Sequence, residues 1–172
     1  DAAAAGAPIG SGGLVAVAAN PRWAADTWRN RAPYTWFNFR VSHGLGHMAR
    51  SILEGVCFGV RGNLEQLERV AARRFERVVF TGGCASVALW AQIMADVLGR
   101  PLEVPAIAEA AAAGGARLVL GSHEGEKELP SPGVRLYTPD RSRTEAYEGY
   151  YRTYLDVFET MQKHFGGEGG QS

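Results

Sequence analysis

One stretch, residues 77–98, constrains this chain more than any other. Val78, Val79 and Phe80 are β-branched or aromatic and predict a short strand. Gly82 and Gly83 follow at once, and then Leu89, Ile93 and Val97 recur four apart with Trp90 and Met94 alongside, the stripe of a helix with one buried face. Strand, glycine pair and helix is a plan shared by many nucleotide sites. The glycines permit positive φ and carry no side chain, so a flat ligand can lie against the backbone. The helix start adds unpaired N–H groups. The same pattern also serves as a plain tight turn. It is neither a G-x-G-x-x-G fingerprint nor a P-loop, because no Gly-Lys-Ser/Thr follows.

With 172 residues, 46% of them hydrophobic, the chain is long enough for one domain with a real core. Its formal net charge is zero, which gives no electrostatic footprint for nucleic acid or an anionic membrane. No apolar run reaches membrane-spanning length, and the alanine-rich start has no basic flank. Two cysteines, Cys57 and Cys84, are too few for a disulfide scaffold and read as small buried hydrophobes in a reducing compartment. A cytoplasmic location is expected. Asp1 and Ala2 to Ala5, with no initiator methionine, read as the continuation of a longer protein.

Residues 1–13, mostly Ala, Gly, Ser and Pro, predict a connector rather than core. Residues 14–19 predict a strand ended by Asn20-Pro21, and residues 22–33, with Trp23, Asp26 and Trp28, a long loop. Residues 34–41 predict a second strand, antiparallel to the first. Ser42 is a plausible N-cap for a long helix reaching about Ala72, with Leu45, Met48, Ile52, Leu53, Val56, Val60 and Leu64 as its buried stripe. Gly44, Gly46, Gly55 and Gly59 weaken that helix and call for close packing against a neighbour. Arg50 and Glu54 stand one turn apart and can pair.

Gly99-Arg100-Pro101 ends the helix after the glycine pair. Residues 102–104 predict another strand, 107–120 an alanine-rich helix with Gly114-Gly115 at its middle, and 122–133 a charged loop. After residues 134–137, Pro139-Asp140 opens a last helix from Thr144 to about Phe165, lined by tyrosines. Residues 166–172 predict a disordered tail. Alternating strands and helices from Phe75 onward imply parallel pairing there. A mixed sheet flanked by helices fits an α/β ribonuclease-H-like or actin-like ATPase domain, though the pattern alone admits other α/β folds.

At the level of motifs the chain resembles the C-terminal domain of the FGGY family of carbohydrate kinases, which includes xylulose, glycerol and gluconate kinases. Its Gly-Gly-Gly-Ala run with downstream Trp-x-Gln-x-x-Ala-Asp-x-Leu-Gly-x-Pro is similar to Gly82-Gly83-Cys84-Ala85 followed by Trp90, Gln92, Ala95, Asp96, Leu98, Gly99 and Pro101. The Glu-Ala-Ala-Ala-x-Gly-Ala-Ala run resembles Glu109 to Ala116, and the Arg-Ala-x-x-Glu-Gly-x-x-Phe helix resembles Arg50 to Phe58. Pro139-Asp140 with Tyr147 and Tyr151 matches the last helix. Tyr34 and Asn38 stand where the family usually carries glycines.

The resemblance implies a two-domain kinase that transfers the γ-phosphate of ATP, with Mg2+, to a sugar or polyol hydroxyl in the cleft between two actin-like domains. Gly82, Gly83 and Val87 would hold the adenosine end of ATP. The family's catalytic Asp, its metal-associated Asp and its phosphate-binding turns would precede Asp1 in a missing N-terminal kinase domain. No catalytic or metal residue is therefore expected in this piece, and alone it is expected to be inactive. Residues 14–165 would form the nucleotide-side domain.

Remaining candidates carry less. His43 and His47 have a metal-binding spacing but no third ligand nearby. Asp96, on the helix after the glycine pair, reads as structural sooner than as a ligand contact. Asp26 would lie at the surface near the cleft, and the tyrosine-rich last helix reads as packing. The alternatives to a kinase half are a degenerate nucleotide-binding or regulatory module and a dimerisation module, since a stripped sheet edge and apolar face favour self-association and a possible homo-oligomer.

Overall fold

The computed structural model describes residues 2–19, 35–106, 112, 114, 115, 118 and 133–165. A first short helix α1 (Ala2–Ala5) leads through a 3-10 turn (Ile9–Gly13) into β1 (Val15–Val17). Then come β2 (Thr35–Phe37), the long helix α2 (Leu45–Ala71), β3 (Val78–Val79), a second 3-10 turn (Gly83–Ser86) and α3 (Ala88–Leu98). β4 (Leu102–Pro105), β5 (Val134–Tyr137) and α4 (Arg141–Phe165) complete the described elements. The architecture is mixed α/β, with helices flanking a mixed sheet of order β3-β4-β5 and a separate β1-β2 pair.

β1 and β2 are antiparallel, Val15 facing Phe37 and Val17 facing Thr35, as expected from the two apolar runs. β3 and β4 are parallel. The expectation of parallel pairing throughout that side is corrected at β5, which runs antiparallel to β4 with Leu102 facing Tyr137 and Pro105 facing Val134. This reversal brings the end of β5 back beside the start of β4, next to the C-terminus of α3. α4 therefore begins against α3.

The stripe expected for α2 holds in part, with Leu53 and Leu64 packed against the core, and is otherwise corrected. Leu45, Ile52 and Val60 are exposed at 79%, 38% and 38%, whereas Arg50, Ser51, Glu54, Gly55, Cys57, Phe58, Gly59 and Gly62 are buried. The glycines explain the shift. A Cβ on Gly55 would stand 2.2 Å from the Ala16 carbonyl oxygen, one on Gly59 2.4 Å from the Ala19 Cβ, and one on Gly46 2.5 Å from the Ala3 carbonyl oxygen. β1 and α1 thus lie directly on the α2 backbone, and only glycine permits that approach. The cap is Gly44 rather than Ser42, its N–H donating to His47 Nδ1 at 3.3 Å.

Within residues 2–13, Ala4, Ala7, Gly10 and Ser11 are buried, which is core packing rather than a bare connector. Gly10, Ser11, Gly12 and Gly13 are all left-handed (φ 72°, 52°, 63° and 84°). Such a run is costly for Ser11, and Glu54 holds it: its carboxylate accepts the Gly10 N–H at 3.0 Å and the Ser11 hydroxyl at 2.8 Å. Arg50 donates to the same carboxylate through Nε at 2.8 Å and to Tyr147 Oη at 3.0 Å, and Tyr147 in turn donates to Glu54 at 3.0 Å. Burial and the Glu54 charge push the Tyr147 phenol well above its ordinary pKa. Burial alone would lower the Arg50 pKa, but its bonds to Glu54 and Tyr147 leave it raised.

The tyrosines of α4 are packing surface, as expected. Phe58 lies among Tyr147, Tyr151 and Tyr154, ring centroids 5.4–6.0 Å apart, and Tyr154 donates to the Ala19 carbonyl. α4 starts at Arg141, three residues ahead of Thr144, because Asp140 caps it: its carboxylate accepts the Arg143 N–H at 3.1 Å. Asn38 is left-handed (φ 62°), a conformation asparagine tolerates better than most residues. Its Nδ2 donates to the Gly13 carbonyl at 2.9 Å. The expected helix at 107–120 lies largely outside the described residues, and the tryptophan loop with Asp26 and the tail at 166–172 lie wholly outside them. No described helix is long and apolar enough to cross a membrane.

Candidate nucleotide site

The glycine-pair turn leaves the sheet where β3 ends. The Phe80 N–H still donates to the Glu103 carbonyl at 2.8 Å, and the chain then turns away from β4. Gly82 has φ 95° and ψ −178°, a region of backbone space populated essentially by glycine alone. The 3-10 turn closes with Ala85 N–H on the Gly82 carbonyl at 3.0 Å, Val87 N–H on the Cys84 carbonyl at 3.2 Å and the Ser86 hydroxyl on the Gly83 carbonyl at 2.7 Å. Only Ala85 in this turn is buried.

A Cβ added to Gly82 or Gly83 would meet nothing within 4 Å. Packing among the described residues therefore does not require these glycines, and among those residues the backbone they expose faces open space. Val87, half-buried and extended (φ −87°, ψ 100°), is the N-cap of α3 and makes no side-chain bond to the first-turn N–H groups. The three residues expected to hold a nucleotide thus share one open turn that ends on an uncapped helix start. Such a surface suits a flat ring laid against backbone, with Val87 supplying apolar contact. Gly114 and Gly115 are helical, and among the described residues a Cβ on either would again meet nothing within 4 Å.

The other candidates separate cleanly. Cys84 is exposed on the turn, which corrects its reading as a buried hydrophobe, whereas Cys57 is fully buried and burial pushes its thiol pKa up. Asp96 is 2% exposed and faces α4 rather than the turn. His43 and His47 each accept a backbone N–H through Nδ1, from Arg40 at 3.1 Å and Gly44 at 3.3 Å, and His43 Nε2 meets the Gly12 carbonyl at 3.2 Å. His47 Nδ1 thus serves the helix start, and the His43 ring ties the turn before it to the Gly12 carbonyl. Among the described residues no group of three or more His, Cys, Asp and Glu side chains gathers to hold a metal.

The sequence model of the FGGY family of carbohydrate kinases, C-terminal domain, matches residues 1–121. The chain belongs to that family. It is 30% identical over 161 residues to an autoinducer-2 kinase of Enterobacter sp. (strain 638), an alignment covering 88% of this chain and 30% of that protein. It is 26% identical over 129 residues to a probable L-xylulose kinase of Haemophilus influenzae, covering 74% of this chain and 26% of that protein. Its fold superposes on the xylulose kinase of Rhodospirillum rubrum with a TM-score of 0.77 at 27% identity, over 96% of this chain and 34% of that one. The chain therefore has the actin-like ATPase fold of FGGY kinases. It spans about 30% of the length of the curated relatives it matches.

Within the FGGY domain, sequence reasoning missed the exposure of Cys84 and the bonds from Asp96 to the start of α4. The first was legible only from the turn's geometry. The second depended on the antiparallel direction of β5.

Proposed function

We propose that this chain is the ATP-binding half of a cytoplasmic kinase that phosphorylates a hydroxyl of a sugar or polyol. The observation that carries the reading is the open Gly82–Gly83 backbone running into the uncapped start of α3 at Val87, in a chain of the FGGY family. ATP, when bound, supplies the γ-phosphoryl group. The residues of this chain bind and orient its adenosine end: Gly82 and Gly83 admit the ring system to the backbone, and Val87 packs against it. A carboxylate that takes the proton of the acceptor hydroxyl, and the ligands for Mg2+, belong to the other domain of the kinase, so this domain by itself does not turn over.

The test is a phosphoryl-transfer assay with the full-length gene product, ATP and Mg2+ against a panel of pentuloses, polyols and aldonates, run beside the isolated 172-residue chain. Turnover on one acceptor class by the full product, and none by the chain, is the expected result. An absence of turnover by the full product on every acceptor, with ATP still bound, would favour a degenerate nucleotide-binding module.

A further inference from the structure

The helix that starts at the nucleotide turn is fixed from its other end. Asp96, in the last turns of α3, accepts the Asp140 N–H at 2.8 Å and the Gln92 side-chain N–H at 2.9 Å through Oδ1, and its Oδ2 lies 3.5 Å from Arg143. Gln92 also donates to the Thr138 carbonyl at 2.9 Å. The Arg61 guanidinium donates to the Val97 carbonyl at 3.2 Å, holding the same end against α2. By contrast, among the described residues no side chain caps the α3 N-terminus, and the turn before it bonds only to itself beyond Phe80.

We propose that Asp96 is a positioning residue for the nucleotide. Through Gln92 and the cap of α4 it sets the direction of α3, and with it the place of the Val87 helix start relative to Gly82 and Gly83. The proposal rests on reading that turn as the adenosine cradle. Asp96 is too deeply buried to touch a ligand, so it acts through the helix. An eleven-residue helix moves as a rigid body, and loosening one end tilts the other.

The experiment measures KM for ATP, KM for the acceptor and kcat per folded enzyme in the full-length kinase carrying Gln92→Ala, Asp96→Ala, Asp96→Asn or Gly82→Val. Gln92→Ala removes the surface half of the clamp without emptying the core, so it remains decisive if Asp96→Ala fails to fold. The expected result is a rise in KM for ATP of about threefold in Gln92→Ala and about tenfold in Asp96→Ala, with kcat and acceptor KM nearly unchanged. Asp96→Asn, which keeps the oxygen that accepts both N–H groups, should stay within about twofold of the parent. A purely structural role would lower the folded fraction and leave KM for ATP unmoved. An unmoved KM in Gln92→Ala and Asp96→Ala, with a raised one in Gly82→Val, overturns the positioning role and keeps the cradle. An unmoved KM in all of them overturns both.

Discussion

The buried knot on α2 and the glycine turn after β3 are opposite solutions to the placing of polar groups. Around Glu54 the donors of Gly10, Ser11, Arg50 and Tyr147 converge on one carboxylate, all of them sealed from water. Along residues 81–84 every residue is exposed, and the helix start that follows lacks a side-chain cap. A satisfied buried network fixes a unique packing and is costly to disturb. An exposed turn running into a helix start without a side-chain cap leaves hydrogen-bonding capacity for a ligand. The buried network thus lies away from the proposed site, which on our proposal is held in place through α3.

Breaking the knot should have the largest effect. Glu54→Ala strands the Arg50 charge and should cost about 3–5 kcal/mol in denaturant unfolding, while leaving ATP affinity unchanged in the molecules that still fold. Replacing both partners, Arg50→Met with Glu54→Leu, should recover part of that loss. Gly55→Ala drives a methyl group into the Ala16 carbonyl and should cost about 2–3 kcal/mol by the same measurement. Gly82→Ala reverses the pattern. It should cost only about 1–2 kcal/mol, the penalty of a glycine-only conformation, yet weaken ATP in a calorimetric titration.

The smallest effect concerns acid. The Ser142 hydroxyl and the Arg143 N–H hold the Asp140 carboxyl below its usual pKa, and the Arg100 guanidinium does the same for Glu68. A carboxylate with a depressed folded pKa adds stability above its unfolded pKa, and that stability is lost as pH falls through the folded value. Ser142→Ala should therefore lower stability slightly at neutral pH, flatten its fall below the ordinary carboxylate range, and converge on the parent at the acid end of the curve.

Local signals were legible and long-range ones were not. The α3 stripe, the Gly99 cap with φ 61° and the β1–β2 pairing follow from periodicity and punctuation within a few residues. The buried face of α2 escaped because, beside Cys57 and Phe58, it consists of Arg50, Ser51, Glu54 and glycines, which hydrophobic periodicity does not register. Residues 1–13 looked like linker for the same reason: small residues serve equally for flexibility and for close approach. Asn38 stands where the family usually carries glycine, and its own backbone is left-handed, a conformation within asparagine's reach. At the site, Gly82, Gly83 and Val87 were legible as one turn, while the anchoring of α3 needed the direction of β5, which no run of residues in β5 encodes.

The central claim is that the Gly82–Val87 turn receives the nucleotide, and the exposed Cys84 within it reports on this directly. The measurement is the alkylation rate of Cys84, followed by peptide mass spectrometry in the full-length product with and without saturating ATP; buried Cys57 serves as the internal control. Strong protection of Cys84 by ATP, with Cys57 unreactive throughout, is the predicted result. Equal labelling of Cys84 in the two conditions, in protein shown to bind ATP, would place the nucleotide elsewhere and contradict the account.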